Sequence, residues 1–204
     1  MPRPRAFDEG QVLDQAMDVF WRQGYDGASM ADLTRAMGLN SPSIYAAFGN
    51  KRGLFEAVLA RYDERRIDYA QQMISGKTAR DVAERMLYGA VEWLTMPGEP
   101  RGCLLIQTGL AVGGDGADIP EVLARRRQRL EKRLAERFEQ AKIDGDLAMD
   151  SDCKALARYL QTVFSGLAVQ AAAGMHATKL DEVVATAMMG WPKTISKRLR
   201  GKPN

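Results

Sequence analysis

The sequence predicts an all-α protein: a small N-terminal three-helix head followed by a larger helical body, about nine helices in all. Three observations predict it. Apolar residues recur at helical spacing along almost the whole 204-residue chain. No stretch alternates apolar and polar residues as a half-buried strand does. Capping residues and glycines punctuate the helical pattern at short intervals.

The first predicted helix opens at Asp8, which with Gln11 makes a capping-box pattern; Phe7 and Val12 are placed for a hydrophobic staple. Val12, Leu13, Ala16, Met17 and Phe20 form its apolar stripe, and Gly24 closes it. The second begins at Ser29 and stops at Gly38. The third runs from Ser41 to Phe48, with Pro42 near its start, where a missing N–H costs little, and Gly49 at its end. A fourth begins after the cap Asn50 and continues to about Ser75. Further helices are expected over Ala79–Thr95, Gly102–Val112, Pro120–Ile143 and Asp150–Ala173. A last one starts near Lys179 and is interrupted at Trp191-Pro192. The natural division falls after Arg52, giving a head of residues 1–52 and a body of 53–204.

Composition bounds the function. With 46% apolar and 27% charged residues the chain reads as a soluble globule. No apolar run approaches the ~20 residues that span a bilayer, so no membrane partner is expected. Two cysteines, Cys103 and Cys153, fit a reducing compartment, and the expected location is the cytoplasm. The net charge of +3 favours a polyanion only weakly. Residues 1–52 hold six basic and six acidic residues, so any nucleic-acid footprint must come from placement: Arg3 and Arg5 in one cluster, Lys51 and Arg52 in another.

The head carries the main functional signal. Only Gly38-Leu39-Asn40 separates the second and third predicted helices, and Gly38 can take the positive φ that a steep crossing needs. The third helix is too short to persist alone. Ile44, Ala47 and Phe48 form a stripe that can pack on Leu33, Met37 and Leu39, leaving Pro42, Ser43, Tyr45 and Ala46 on the other flank. A short helix pinned along one side and bare along the other suits the major groove of double-stranded DNA. Ser43 can bond a base edge or a phosphate, Pro42 and Ala46 can touch thymine methyls, and Tyr45 can give its hydroxyl to a phosphate. Lys51 and Arg52 open the fourth helix, whose N-terminus also attracts phosphate. Arg3 and Arg5 can reach an adjacent minor groove. Ser29, Asn40 and Ser41 complete the candidate contacts.

These residues resemble the TetR family of transcriptional regulators. The resemblance is carried by Ala16-Met17-Asp18-Val19-Phe20-Trp21-Arg22-Gln23-Gly24-Tyr25, Ser29-Met30-Ala31-Asp32-Leu33, Ala36-Met37-Gly38-Leu39, and Ser43-Ile44-Tyr45-Ala46-Ala47-Phe48-Gly49-Asn50-Lys51 with Leu54-Phe55. It implies a homodimer, an effector-binding C-terminal domain and, most often, repression at a nearby operator. By position, the family's DNA contacts fall on Ser41, Pro42, Ser43, Tyr45 and Lys51. The chain departs from the family pattern near Ser41–Pro42, where a basic residue is common, and at Ala46–Ala47, where an aromatic and a histidine are. Gly102-Cys103-Leu104-Leu105-Ile106 and Leu156–Gly174 are partly similar to a copper-responsive subgroup. The resemblance also implies coupling from an unidentified small-molecule effector through the fourth helix.

In the body, Leu156, Leu160, Val163 and Leu167 on the eighth predicted helix, with Val184, Ala187, Met188 and Trp191 on the last, offer stripes that two copies can join as a four-helix bundle. The alternative is that both stripes are buried within one chain. Met73, Met86, Tyr88, Trp93 and Met96, with Cys103, Leu104, Gln107, Tyr159 and Phe164, are candidates for an adaptable effector pocket. Arg125-Arg126-Arg127-Gln128-Arg129 reads as a solvated helix face. Asp144-Gly145-Asp146 lacks the pattern of a calcium loop. Cys103, Cys153 and His176 match no short metal motif, so neither metal nor cofactor is expected, although the resemblance to the copper-responsive subgroup keeps a three-ligand soft-metal site at these residues open. One histidine, no phosphate loop and no nucleophile motif argue against an enzyme. The expected function is a ligand-released repressor; an activator or an effector-independent architectural DNA-binding protein are the alternatives.

Overall fold

The structure, a computed structural model, describes residues 8–110 and 116–192. Arg3, Arg5 and Phe7 lie outside the described residues. Ten helices are present among those residues, and no strand: α1 Glu9–Gly27, α2 Met30–Met37, α3 Ser41–Phe48, α4 Lys51–Arg65, α5 Ile67–Ile74, α6 Ala79–Leu94, α7 Leu104–Leu110, α8 Ile119–Ile143, α9 Cys153–Ala172 and α10 Ala177–Met189. The extra helix arises because the expected fourth helix is two. It breaks at Arg66, whose φ of −104° and ψ of 1° leave the helical region and whose N–H turns to the carbonyls of Asp63 and Glu64. Neither glycine nor proline marks the break, so the sequence pattern runs through it unchanged.

Side-chain caps set most helix starts. Asp8, Ser29, Asn40, Asn50, Thr78 and Asp152 each accept a backbone N–H from the first turn they precede. The cap of α9 is thus Asp152 rather than Asp150. His176 caps α10 through its ring. Helix α1 loses helical geometry at Gly24 (φ 73°, ψ 177°), and Gly38 ends α2 in the left-handed conformation.

The chain packs as two compact units. The first comprises the described residues up to Asp68 with those of Cys103–Leu123. In it α1 packs on α2, α4 and α7, and α3 lies on α2 and α4. Its centre is aromatic. Phe20 meets Phe55 edge-on at 4.9 Å, Tyr25 meets Phe55 at 5.1 Å, and Trp21 meets Tyr62 at 5.2 Å. Each such pair adds about 0.5–1.5 kcal/mol beyond the apolar area it buries. Arg61 of α4 grips the carboxylate of Asp14 with two 3.0 Å hydrogen bonds.

The second unit comprises Tyr69–Gly102 and the described residues from Ala124 on. Here α6, α9 and α10 pack together. Val82, Leu87, Leu94, Leu160, Ala168, Leu180 and Val184 are wholly buried in it. Arg137 donates to the carbonyls of Gly76 and Lys77, and Asp146 accepts from the N–H of Ala79.

Candidate nucleic-acid interface

The recognition helix is held as its sequence requires. Ile44 is fully buried, Ala47 and Phe48 are half-buried, and Leu33 and Met37 of α2 are buried. On the opposite flank Pro42, Tyr45 and Ala46 are exposed, with Ser41 and Ser43 half-buried. Tyr45 exposes 46% of its surface. The junction to α4 is tight. A Cβ on Gly53 would collide with the carbonyl oxygen of Phe48, so only glycine lets α4 start this close to the end of α3.

Capping fixes what several candidate side chains have left to offer. The Asn40 side-chain oxygen accepts the Ser43 N–H at 2.9 Å. A bidentate contact to adenine uses both ends of an amide, so Asn40 retains only its N–H2 for that purpose. Ser29 accepts from the Asp32 N–H at 3.1 Å and donates to the Asp32 carboxylate at 2.6 Å. That hydroxyl holds the Asp32 carboxyl below its usual range.

The two basic residues that open α4 differ. The Lys51 ammonium sits 4.7 Å from the centre of the Tyr25 ring, a cation–π placement that orients the charge. Arg52 is engaged by acids: its guanidinium donates to Glu56 at 2.9 Å and to Asp118, just before α8, at 2.7 Å. Burial opposes its charge, but these hydrogen bonds outweigh burial and raise its pKa. Sequence placement alone put Arg52 beside Lys51 as an equal; Asp118, 66 residues on, distinguishes them. Asp118 was not legible as a functional partner, nor was Tyr25 as the seat of Lys51.

The remaining candidates divide between the units. In the first, Gln107 of α7 accepts the indole N–H of Trp21 in α1 at 2.7 Å. Buried Cys103 has the Tyr62 hydroxyl 3.4 Å from its sulfur, and Leu104 is buried beside it in sequence. In the second, Met73, Trp93 and Met96 line one cleft of about 390 Å³ together with Tyr69, Gln72, Arg85, Gly89 and Glu92. Met86 is buried, whereas Tyr88 is 39% exposed, and neither lines the cleft. Tyr159 stands on α9 with its hydroxyl on the Ala187 carbonyl, and Phe164 is buried. Of the ten pocket candidates, Met73, Trp93 and Met96 share this cleft; apolar helical stripes look alike in sequence whether they face a cleft or a core.

The expected dimer stripes divide by burial. Leu160, Leu167, Val184, Met188 and Trp191 are buried within the single chain, Trp191 against Phe138 at 5.5 Å. A side chain already excluded from water has no area left for a partner. Leu156, Val163 and Ala187 stay half-exposed. The apolar surface that α9 and α10 leave open lies one register away, at Tyr159, Val169, Val183 and Met189, the last 78% exposed.

Comparison with known proteins fits this geometry. The family profile described as bacterial regulatory proteins, tetR family, matches residues 12–58, and the tetracyclin repressor-like C-terminal domain matches residues 84–188. The chain belongs to the TetR family. It is 32% identical to the HTH-type transcriptional repressor ComR of Escherichia coli strain K12, over 95% of this chain and 93% of that protein. A mutant of the TetR family regulator CifR, solved on 26-bp double-strand operator DNA, is 40% identical, with a TM-score of 0.89 over 93% of this chain and 100% of that one. A TetR regulator of Rhodococcus sp. RHA1 is 41% identical with a TM-score of 0.61, over 91% of this chain and 100% of that one. This TetR protein is accordingly a DNA-binding transcriptional regulator. No helix among its described residues is long and apolar enough to cross a membrane.

Proposed function

We propose that this TetR protein is a cytoplasmic repressor, without catalytic activity, that binds a palindromic operator as a homodimer and leaves it when a small molecule occupies its C-terminal body. In this reading residues 1–52 read DNA and 53–204 hold the effector and partner surfaces. The observation that carries the reading is the bare flank of α3: Pro42, Tyr45 and Ala46 face solvent while Ile44 is anchored. Ser41, Ser43 and Tyr45 then bond base edges and phosphates, Pro42 and Ala46 touch apolar base edges, and Lys51 takes a phosphate. Ser29, Asn40, Arg52 and the N-terminal Arg3 and Arg5 contribute at the margins.

Two copies meet through the open apolar register of α9 and α10, with Leu156, Val163 and Ala187 at its edge. A two-fold pair presents its recognition helices to half-sites about one helical turn apart. Met73, Trp93 and Met96 mark the effector cleft. Within the first unit, the Gln107–Trp21 hydrogen bond ties α7 to α1, so a shift of α7 is felt by the helix on which the reading head is built. A coupling of about 1–3 kcal/mol suffices for release.

The test is selection of duplexes from a random pool, then anisotropy titration of the selected duplex against a scrambled one. The expected result is a palindrome bound by two chains, with scrambled DNA bound far more weakly. Equal affinity for both duplexes contradicts the proposal.

A further inference from the structure

Taking as given the reading above that the C-terminal body holds an effector, we propose that the cleft between α5 and α6 binds a flat lipophilic cation. Its walls are aromatic and thioether side chains: Tyr69 and Met73 from α5, Trp93 from α6 and Met96 from the segment just after it. At about 390 Å³ it lies at the small end of ligand sites and suits two or three fused rings. One wall is preset. Gly89 allows the Tyr69 ring to rest on α6, where a Cβ would come within 2.7 Å of the ring carbon Cε2. The Tyr69 hydroxyl donates to the Met86 carbonyl at 2.5 Å, fixing the far end of the same ring. Met96, 41% exposed, is an adaptable side that reshapes around different rings.

The charge at the rim selects the ligand's sign. Arg85 is neutralised by Asp81, to which its Nε donates at 2.8 Å, and it also reaches the Gln72 carbonyl. Glu92, on the same face of α6, has no hydrogen-bond or ion-pair partner among the described residues. The cleft therefore carries one uncompensated negative charge beside two aromatic rings. Ring faces attract cations through their quadrupole, and a carboxylate does so directly. Neutral rings gain neither attraction and keep only stacking and apolar contact, and anions are repelled.

The test is calorimetric titration of the DNA-free protein with N-methylquinolinium and with 1-naphthoate, planar bicyclic ions of similar size and opposite charge. The cation is expected to bind at least about tenfold more tightly. Glu92→Gln, an exposed and conservative change, is expected to weaken the cation about fivefold and to strengthen the anion. Gly89→Ala, which dislodges the Tyr69 wall, weakens both. Equal affinity for the two ions, or a cation affinity unchanged by Glu92→Gln in a protein of unaltered circular dichroism, overturns the inference. Operator titration separates it from the reading it rests on. If the cation binds but leaves operator affinity unchanged, the cation site stands and ligand release through it falls. If an anionic or neutral compound releases the operator while the cation does not bind, effector release stands and the cation site falls.

Discussion

The reading head and the α9–α10 layer use the same ingredient, an amphipathic helix with one buried stripe, and differ in how much the sequence says about the other side. Helix α3 is eight residues long and bracketed by Asn40 and Gly49. With so few positions and both ends fixed, burying Ile44 decides that Pro42, Tyr45 and Ala46 face outward. Helices α9 and α10 are 20 and 13 residues long, with apolar residues on more than one face. There the strongest apolar stripe went to the chain's own core, and the weaker register of Tyr159, Val169, Val183 and Met189 was left for solvent or a partner. A helix with one apolar stripe declares its outer face; a helix with two does not say which is internal.

Truncating each anchor gives the largest expected effects. Ile44→Ala and Leu160→Ala both remove a fully buried aliphatic side chain, and each is expected to lower unfolding free energy by about 2–5 kcal/mol in denaturant titrations. Operator binding under native conditions separates them: Ile44→Ala loses it, and Leu160→Ala retains it in the folded fraction. A Leu160→Ala protein that keeps full stability but becomes monomeric would return that residue to the interface.

Val169→Asp tests the open register directly. An unpaired carboxylate in a dimer interface is strongly unfavourable, so the dimer dissociation constant is expected to rise about 100-fold by sedimentation, with helicity unchanged. An undisturbed dimer would move the interface elsewhere.

Much of the head was legible because its signals are local. Caps at Ser29 and Asn50 and the glycines at 38 and 49 act within a few residues, and each was found where expected; the cap at Asn40, equally local, was read only as a turn and candidate DNA contact. What escaped the sequence was long-range or unpunctuated. The Arg52–Asp118 pair spans 66 residues. The split of α4 from α5 at Arg66 carries no breaker residue. The cleft residues Tyr69, Gly89 and Glu92 converge from two helices whose packing no periodicity reveals.

The smallest effect concerns the two charges that open α4. Lys51→Ala is expected to reduce the salt slope of operator binding by about one. Asp118→Asn removes a competitor for Arg52, so it is expected to steepen the slope by up to about 0.9 as Arg52 turns to a phosphate. Anisotropy titrations over a range of salt measure both. An unchanged slope in Asp118→Asn would leave Arg52 as a structural residue bound to Glu56.

The most direct test of the account replaces Ala46 with a photo-crosslinking amino acid and maps its attachment on the selected operator. Adducts are expected on base edges in the major groove, in two symmetric clusters about 10–10.5 bp apart or a multiple of that spacing. Tight operator binding without adducts, or adducts confined to the phosphate backbone outside the half-sites, would contradict it.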